Sequence, residues 1–373
     1  MEILTITSLF PNKEDPNRGI FVLNRIKAIQ KYANIEVIAP IAWFPFVKKN
    51  KVRGVPFKKE IEGLTVYHPK FFSIPKFFKF LDGWFFYFSL RKYAKKIKKA
   101  DIIDSHFAWP DGYGTWLAAK KYNKKFSITL HGSDVNYKLK KKIIKNKIIK
   151  MLNNANLIIT VSKGLKRVAS QYIKKDIKVI SNGVDANLFK LIAQKKAREE
   201  LKLPLNKKII LSVGRPFKLK GFFELVEAAK DLNANIYLIG KDKKKELLNF
   251  IKKNNINNVK LIGEVKHKEL YKWYSSADIF ILVSHSEGWP CSVMEALACG
   301  KPCVVTEEAA GEFITKDLGI VTDYKDLSKN LKKALDKKWD TKKILKFAKK
   351  NSWDKTTKNV LNNFNELLNK NDG

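Results

Sequence analysis

The sequence is poor in cysteine. Its 373 residues include only three, Cys291, Cys299 and Cys303, and these lie within one short stretch. A disulfide framework would spread its cysteines along the chain, so this distribution disfavours a disulfide-stabilised fold and favours a reducing compartment. The cysteines are either small buried thiols or part of a zinc site completed by His285. We adopt the first interpretation and expect no metal site.

Long apolar runs are also missing. No stretch approaches the roughly 18 apolar residues that a membrane-spanning helix needs. The first residues, Met-Glu-Ile-Leu-Thr-Ile-Thr, predict a strand, because a signal peptide would show a basic region followed by an apolar one. We therefore expect a cytoplasmic protein, at most peripheral on the inner face of the cell membrane.

Arginine is scarce although the chain is strongly basic. Lys and Arg number 74 against 36 Asp and Glu, a net charge of +38, but only seven of the 74 are Arg. Nucleic-acid binders rely on Arg for bidentate contacts to phosphate and guanine, so we expect no nucleic-acid partner. Much of the charge then reflects composition. The excess is larger in residues 1–186 (37 basic, 13 acidic) than in 187–373 (37 basic, 23 acidic).

The sequence does contain short apolar runs that alternate with amphipathic stretches. Such runs suit parallel strands buried on both faces, and the intervening stretches suit the helices that connect them. We predict two doubly wound α/β domains, 1–185 and 186–350, that face each other across a ligand cleft, and a terminal helix within 351–373. The predicted strands are 3–7, 35–39, 102–105, 126–130, 157–161, 179–181, 209–213, 236–239, 259–262, 279–283 and 303–306.

One segment departs from this pattern. Residues 71–90 contain ten aromatic residues, and six Lys or Arg follow between positions 91 and 99. Pro75 and Gly83, with the charges among them, exclude a membrane span. Residues 71–99 are either an interfacial element on anionic lipid or a helix pair whose rings belong to the core.

The most informative stretch is 286–300, which is predicted to leave a strand, pass through a Gly-Pro loop and enter a helix. Glu287 then lies on the loop and Glu295 about two turns into the helix. The free N–H groups of the helix's first turn bind anions. One carboxylate can accept hydrogen bonds from the hydroxyls of a sugar and the other from the hydroxyls of a ribose. A diphosphate that links the sugar to the ribose would then lie between the two carboxylates.

A second stretch, 213–222, ends a strand in a loop and begins a helix. Arg215 and Lys220 place two cations at the carboxyl edge of a sheet, where fixed positive charge can stabilise a departing diphosphate. The chain has no Asp-x-Asp pair, which metal-dependent nucleotide-sugar enzymes use to hold Mg²⁺ or Mn²⁺. We therefore expect no metal and no cofactor other than a nucleotide-sugar co-substrate.

With the motifs at 161–164 and 180–185, these stretches follow the order found in glycosyltransferase family 4, and most of the chain resembles its retaining GT-B enzymes. The resemblance implies a glycosyltransferase of the hexosyltransferase type with two Rossmann-like domains, 1–185 binding the acceptor and 186–350 binding the nucleotide sugar. It also implies that the terminal helix in 351–373 crosses back to the N-terminal domain. It assigns Glu287 to the donor sugar, Glu295 to the ribose, and Arg215 and Lys220 to the diphosphate. The backbone of Gly288, Trp289 and Pro290 would contact sugar and phosphate.

The same resemblance assigns residues in the N-terminal half. By this likeness Gly19 would let the backbone approach the donor phosphate at a helix N-terminus, and His131 would lie beside the reacting sugar. On the acceptor side, His106 is predicted to line the pocket, while Asp134 is either a helix N-cap or an acceptor ligand. His131, Glu287, Arg215 and Lys220 form the predicted catalytic set. The remaining histidines, His68, His267 and His285, are predicted to be structural.

The resemblance implies transfer from a nucleotide-diphosphate sugar, with UDP as the expected carrier, to a glycan or lipid-linked acceptor. The likeness is closest to enzymes that assemble teichuronic-acid-like or exopolysaccharide repeats in cell-surface polysaccharide synthesis. Two other functions stay open: a GT-B nucleotide-sugar epimerase and a basic nucleic-acid-binding protein. One departure, 307–312 in place of the family's Gly-Gly-x-x-Glu, leaves the donor sugar unassigned.

Overall fold

The computed structural model describes residues 1–45, 54–216, 218–242 and 245–369. The chain forms two compact units: unit 1 comprises Met1–Asn182 and Trp353–Gly373, and unit 2 comprises Gly183–Ser352. Phe217, which belongs to the predicted loop after residue 213, lies outside the described residues. The acceptor and donor roles of the predicted domains remain predictions.

Unit 1 contains a mainly parallel sheet. Its strands are β1 (Glu2–Ile6), β2 (Asn34–Ile38), β3 (Ile41–Trp43), β4 (Lys58–Ile61), β5 (Leu64–Tyr67), β6 (Lys70–Phe72), β7 (Ile102–His106), β8 (Lys125–Leu130), β9 (Leu157–Thr160) and β10 (Lys178–Val179). Eight of them form one sheet in the order β10-β9-β8-β7-β1-β2-β5-β4, with β4 antiparallel to β5. A separate parallel pair joins β3 to β6.

Unit 2 contains a six-stranded parallel sheet. Its strands are β11 (Lys208–Val213), β12 (Ala234–Ile239), β13 (Val259–Gly263), β14 (Ile279–Leu282), β15 (Cys303–Val305) and β16 (Gly319–Val321). Their order is β13-β12-β11-β14-β15-β16. All four residues of β14 are buried, as expected for a strand covered on both faces. The two parallel-sheet units confirm the predicted α/β class.

Helices connect the strands of both units. Those of residues 1–182 are α1 (Ile20–Gln30), α2 (Asp82–Leu90), α3 (Ala94–Lys99), α4 (Tyr113–Lys121), α5 (Lys142–Asn154) and α6 (Lys163–Ala169). Those of residues 183–352 are α7 (Gln194–Glu200), α8 (Phe222–Ala229), α9 (Glu246–Lys253), α10 (Leu270–Ser276), α11 (Cys291–Ala298), α12 (Leu327–Asp336) and α13 (Thr341–Lys350). The last helix is α14 (Trp353–Asn369).

The terminal helix is part of the core of unit 1. Val360 and Phe364 of α14 are buried in one apolar cluster with Ile3 of β1 and Ile29 of α1. The hydroxyl of Thr356 also donates a hydrogen bond to the carbonyl of Ser181, at 3.1 Å. Unit 1 is therefore completed by the last segment of the chain.

The aromatic segment divides between core and surface. Phe71 and Phe86 are buried, and their ring centroids lie 5.3 Å apart. Phe77, Phe78 and Phe88 are each more than half exposed. The core interpretation thus holds for some rings of the segment and fails for others. Across the described ranges, no helix combines the length and the apolar character needed to cross a membrane.

Candidate active site

The candidate site in unit 2 lies where the strand order of its sheet reverses. β11 and β14 are neighbours, but the chain leaves β11 toward β12 on one side and leaves β14 toward β15 on the other. Loops that follow two such strands diverge and leave a crevice at their carboxyl ends. Arg215 and Lys220 follow β11, and Glu287 follows β14. The sheet topology therefore places these three predicted residues on adjacent loops.

Gly221 holds the two loops against each other. It precedes α8 with φ +67°, and a Cβ at this position would lie 2.0 Å from the carbonyl oxygen of Val283. The N–H of His285 donates to the carbonyl of Leu219 at 2.9 Å. Because Gly221 has no side chain, the turn before α8 can contact the backbone that follows β14.

This approach brings Lys220 and Glu287 together. The Lys220 ammonium forms an ion pair with Oε1 of Glu287, and the Ser284 hydroxyl donates to the same oxygen at 2.7 Å. Both members of the ion pair are largely shielded from solvent, with side-chain exposures of 23% and 13%. Arg215 is exposed and has neither an ion pair nor a side-chain hydrogen bond with another described residue. The structure thus joins two of the four predicted catalytic residues.

The loop after Glu287 leads into α11. Gly288 and Trp289 are half-buried and Pro290 is buried, directly before the first turn of α11 at Cys291. The ring of Trp289 packs on Phe313 with centroids 5.0 Å apart. The backbone of the predicted donor loop is therefore held next to a helix N-terminus, which favours anions.

Glu295 lies on α11 and is already hydrogen-bonded within unit 2. His267 Nε2 lies 2.9 Å from Oε1 of Glu295, and the Tyr274 hydroxyl donates to Oε2 at 2.7 Å. Burial alone would lower the pKa of His267, but the hydrogen bond and charge of Glu295 outweigh it, and the pKa is raised. Burial, followed by the nearby carboxylate, raises the pKa of Tyr274 well above its usual value.

These partners of Glu295 went unrecognised in the sequence. His267 was predicted to be structural and Tyr274 was not singled out, because each contact joins residues more than 20 positions apart. Glu295 therefore has its orientation fixed before any ligand binds. Its predicted ribose contact remains a prediction.

In unit 1 the strand order reverses between β1 and β7. Gly19, at the start of α1, has φ +63°, and a Cβ there would lie 2.2 Å from the carbonyl oxygen of Leu9. Arg18 donates from Nε to the carbonyl of Ser8 at 2.7 Å. The loop after β1 is thus folded tightly onto the helix N-terminus, where its glycine was predicted to admit a phosphate.

The predicted N-terminal residues His106, His131 and Asp134 lie together at the ends of β7 and β8. Nδ1 of His106 is 2.9 Å from Nε2 of His131. The Asp134 carboxylate accepts hydrogen bonds from the N–H groups of His131, at 3.0 and 3.1 Å, and of Ala108, at 3.3 Å. His106 and Asp134 are buried, and burial raises the pKa of Asp134 to about 6. Their acceptor-side roles remain predictions.

The three cysteines of unit 2 form no disulfide bond within the described part of the chain. Cys299 and Cys303 are buried and Cys291 is half-buried. His285 pairs instead with Glu224, with Nε2 to Oε1 at 2.8 Å. Within the described parts of the chain, no group of three or more His, Cys, Asp or Glu side chains is arranged to hold a metal ion.

Comparison with known proteins shows which families share this sequence and architecture. Residues 193–360 match the model for glycosyl transferases group 1, and residues 52–188 match the model for glycosyltransferase family 4. A Bacillus subtilis glycosyltransferase named for teichuronic acid biosynthesis, TuaC, is 29% identical over 82% of this chain and 81% of its own length. An uncharacterized glycosyltransferase of Methanocaldococcus jannaschii is 30% identical over 72% of this chain and 76% of its own.

Solved structures share the fold at lower identity. Sucrose-phosphate synthase from Thermosynechococcus elongatus matches with a TM-score of 0.81 and 18% identity, covering 98% of this chain and 99% of the other. Anabaena HepE in complex with UDP-glucose matches with a TM-score of 0.72 and 17% identity, covering 98% and 100%. The fold is thus that of a GT-B glycosyltransferase.

The chain belongs to glycosyltransferase family 4. This confirms the resemblance that the ordered motifs indicated, and the protein is a glycosyltransferase.

The contact at Gly221 gives a matched prediction for stability. Gly221→Ala and Gly263→Ala both place a side chain at a positive φ, but a Cβ at Gly263 meets nothing within 4 Å. We expect Gly263→Ala to lower the free energy of unfolding by about 1–2 kcal/mol, and Gly221→Ala by roughly 1–3 kcal/mol more, because it also crowds Val283. Urea unfolding of both variants measures the difference. Equal losses would contradict the role given to the Val283 contact.

Proposed function

We propose that the protein is a retaining, metal-independent glycosyltransferase that uses a nucleotide-diphosphate sugar, with UDP as the carrier. The acceptor is a glycan or a lipid-linked glycan in cell-surface polysaccharide synthesis. The bond between the anomeric carbon and the diphosphate oxygen breaks, and the acceptor hydroxyl bonds to that carbon on the face the diphosphate leaves. The hydroxyl proton passes to the departing diphosphate.

The observation that carries this proposal is the Lys220–Glu287 ion pair at the strand reversal of unit 2. An ammonium held by a carboxylate is a preorganised charge, so it can stabilise a developing diphosphate anion without first being immobilised. The second carboxylate oxygen of Glu287, Oε2, can accept hydrogen bonds from sugar hydroxyls. Arg215, exposed on the same loop, can add a second cation when the donor binds.

Glu295 supports the nucleotide end of the same site. A carboxylate whose two oxygens are hydrogen-bonded within the protein stays in one orientation. Its remaining lone pairs can still accept hydrogen bonds from hydroxyl groups. Ribose offers two adjacent hydroxyls of this kind. UDP is chosen as the carrier because HepE, which shares the fold, binds UDP-glucose. A polysaccharide acceptor is chosen because TuaC is named for teichuronic acid biosynthesis.

The diphosphate role of Lys220 predicts a large loss on Lys220→Ala, with Lys218→Ala as the matched control. Lys218 is exposed on the same turn and two residues away. We expect Lys220→Ala to lower turnover by a factor on the order of 10² or more, while Lys218→Ala stays within about twofold of wild type. Sugar transfer and donor hydrolysis are measured with the nucleotide sugar that gives the largest thermal stabilisation.

Near-normal turnover of Lys220→Ala would remove Lys220 from the mechanism. Glu295→Ala tests the nucleotide contact separately, because thermal stabilisation by UDP alone should be lost. An epimerised nucleotide sugar formed without acceptor would favour the epimerase instead.

Metal independence is tested by chelation. Because Lys220 and Arg215 would neutralise the negative charge of the departing diphosphate, we expect transfer to continue at an unchanged rate in excess EDTA. The rate is compared before and after adding Mg²⁺ or Mn²⁺ back to the treated enzyme. Recovery of a lost activity by either ion would contradict the proposal.

We further propose that unit 1 binds the inner face of an anionic membrane, where a lipid-linked acceptor would reside. The surface consists of residues 76–88 together with 137–147 and is called here the aromatic–lysine surface. It exposes large apolar side chains next to lysines, the composition of interfacial membrane anchors. Its exposed apolar members are Phe77, Phe78, Trp84, Phe88, Tyr137 and Ile143.

The two segments are in contact. Lys147 of α5 donates to the carbonyl of Phe80 at 3.0 Å, and its ammonium lies 5.6 Å from the Phe80 ring centroid. Ile143, 71% exposed, lies one helical turn before Lys147 on the same face of α5. Residues 135–154 include seven Lys and no Asp or Glu. Each lysine near an anionic bilayer contributes about 1 kcal/mol of attraction.

Part of the predicted membrane segment is engaged elsewhere. Lys96 pairs with Glu36 at 2.6 Å and Lys99 with Glu2 at 3.4 Å, so these cations of 91–99 are partly neutralised. Helix α5 and the turn before it supply the excess positive charge instead. The contact is therefore proposed for the aromatic–lysine surface rather than for 71–99 as a whole.

Vesicle flotation tests this surface. We expect wild type to float with vesicles containing phosphatidylglycerol and to float less with pure phosphatidylcholine. Salt at about 0.5 M should release it, because the Debye length then falls to roughly 4 Å. The double variant Phe77→Ser with Phe78→Ser should bind less, whereas Tyr32→Ser, which removes an equally exposed ring elsewhere, should not change binding. Wild-type-like flotation of the double variant, or none by wild type, would overturn the proposal.

A further inference from the structure

A chain of buried polar side chains in unit 1 is not explained by packing or by the proposed donor contacts. Asp104 and His106 are alternate residues of β7, so their side chains project to the same face of the sheet. His131 follows β8, the neighbouring strand, and Arg25 lies on α1. Arg25, Asp104 and His106 are each at most 4% exposed. Burying so many polar groups is costly unless they are hydrogen-bonded or paired with opposite charges.

The geometry forms a relay that ends at His131. Nδ1 of His106 lies 2.9 Å from Nε2 of His131, within hydrogen-bond distance. Oδ2 of Asp104 lies 3.3 Å from Nε2 of His106, an ion-pair distance at which Nε2 has no hydrogen-bond partner among the described residues. The ring of Phe107 stacks on His131 with centroids 5.1 Å apart, and the tilted ring of Phe21 contacts it with centroids 5.0 Å apart. The imidazole of His131 is therefore held at its edge by His106 and on one face by Phe107.

We propose that Asp104 and His106 are positioning residues that fix the tautomer of His131. A carboxylate 3.3 Å from Nε2 of His106 favours the tautomer of that ring with its proton on Nε2, because that hydrogen carries partial positive charge. Nδ1 of His106 must then accept, so His131 carries its proton on Nε2 and donates it to His106. Nδ1 of His131 is left as a hydrogen-bond acceptor.

Arg25 places a buried positive charge near Asp104. Its guanidinium is buried, and neither Nη atom has a hydrogen-bond partner among the described residues. Burial lowers the pKa of Arg25 to about 10, against the upward effect of Asp104, so it stays positive at neutral pH. Arg25 is thus a fixed positive charge close to the carboxylate at the start of the relay.

The same surroundings keep His131 neutral, so that its tautomer matters. Burial, then His106, then Arg25 hold the pKa of His131 well below its usual value. A neutral imidazole with one fixed proton offers a defined acceptor nitrogen to a hydroxyl, whereas an imidazolium offers none. That this hydroxyl belongs to a sugar rests on the proposed function. The tautomer itself does not, and can be measured without substrate.

Nitrogen NMR on the ¹⁵N-histidine-labelled full chain tests the proposal. The chain has five histidines, and single substitutions of each assign their signals. We expect protonated Nε2 and unprotonated Nδ1 on both His106 and His131, with a scalar coupling across the hydrogen bond between His131 Nε2 and His106 Nδ1. A proton on Nδ1 of His106, or no coupling between the rings, would overturn the relay.

The variant Asp104→Asn is expected to reverse which nitrogen of each ring carries the proton. With the introduced side-chain amide donating to Nε2 of His106, the proton of that ring should move to Nδ1 and that of His131 to its own Nδ1. Asp101→Asn, an exposed aspartate just before β7, is the control and should leave both rings unchanged. A folded Asp104→Asn variant with wild-type tautomers would contradict the proposal. If that variant does not fold, the wild-type coupling still decides it.

Discussion

The candidate donor site depends on one close backbone approach, that of Gly221 to the carbonyl of Val283. Parallel strands deliver their carboxyl ends to the same edge, but neighbouring strands at a reversal send their chains in opposite directions. Without a further contact, the loops after β11 and β14 would diverge. Gly221 closes that gap, and the Lys220–Glu287 ion pair and its shielding from solvent follow from it.

The sequence could place residues whose position follows from local pattern. Lys220 and Glu287 each follow a strand that apolar periodicity identified, so the sheet topology puts them on adjacent loops, and the Gly221 contact then brings them together. All eleven predicted strands are present. Five strands were missed, β3, β4, β5, β6 and β16, because each has at most four residues and none is a continuous run of buried apolar residues. Local pattern is thus sufficient for strands that are buried on both faces.

Residues that the sequence did not predict are those whose role depends on distant partners. Nothing near His267 distinguishes it from a surface histidine, and its contact with Glu295 arises only when α11 is placed beside the turn before α10. The aromatic segment shows the same limit. Its composition could not separate buried Phe86 from exposed Phe77, since that depends on which side of the segment the sheet covers. The lysines of α5 could be assigned to the aromatic–lysine surface only because Lys147 contacts the aromatic segment at Phe80.

The position of α14 has a consequence for how the chain can be divided. Unit 2 is an insertion in unit 1, since residues on both sides of it, 1–182 and 353–369, share one core. The two ends of unit 2 lie side by side, with the N–H of Val184 donating to the carbonyl of Asn351 at 3.0 Å. A gene fragment for 183–352 therefore encodes a complete sheet with its helices. Unit 1 can be made alone only if a short linker joins residue 182 to residue 353.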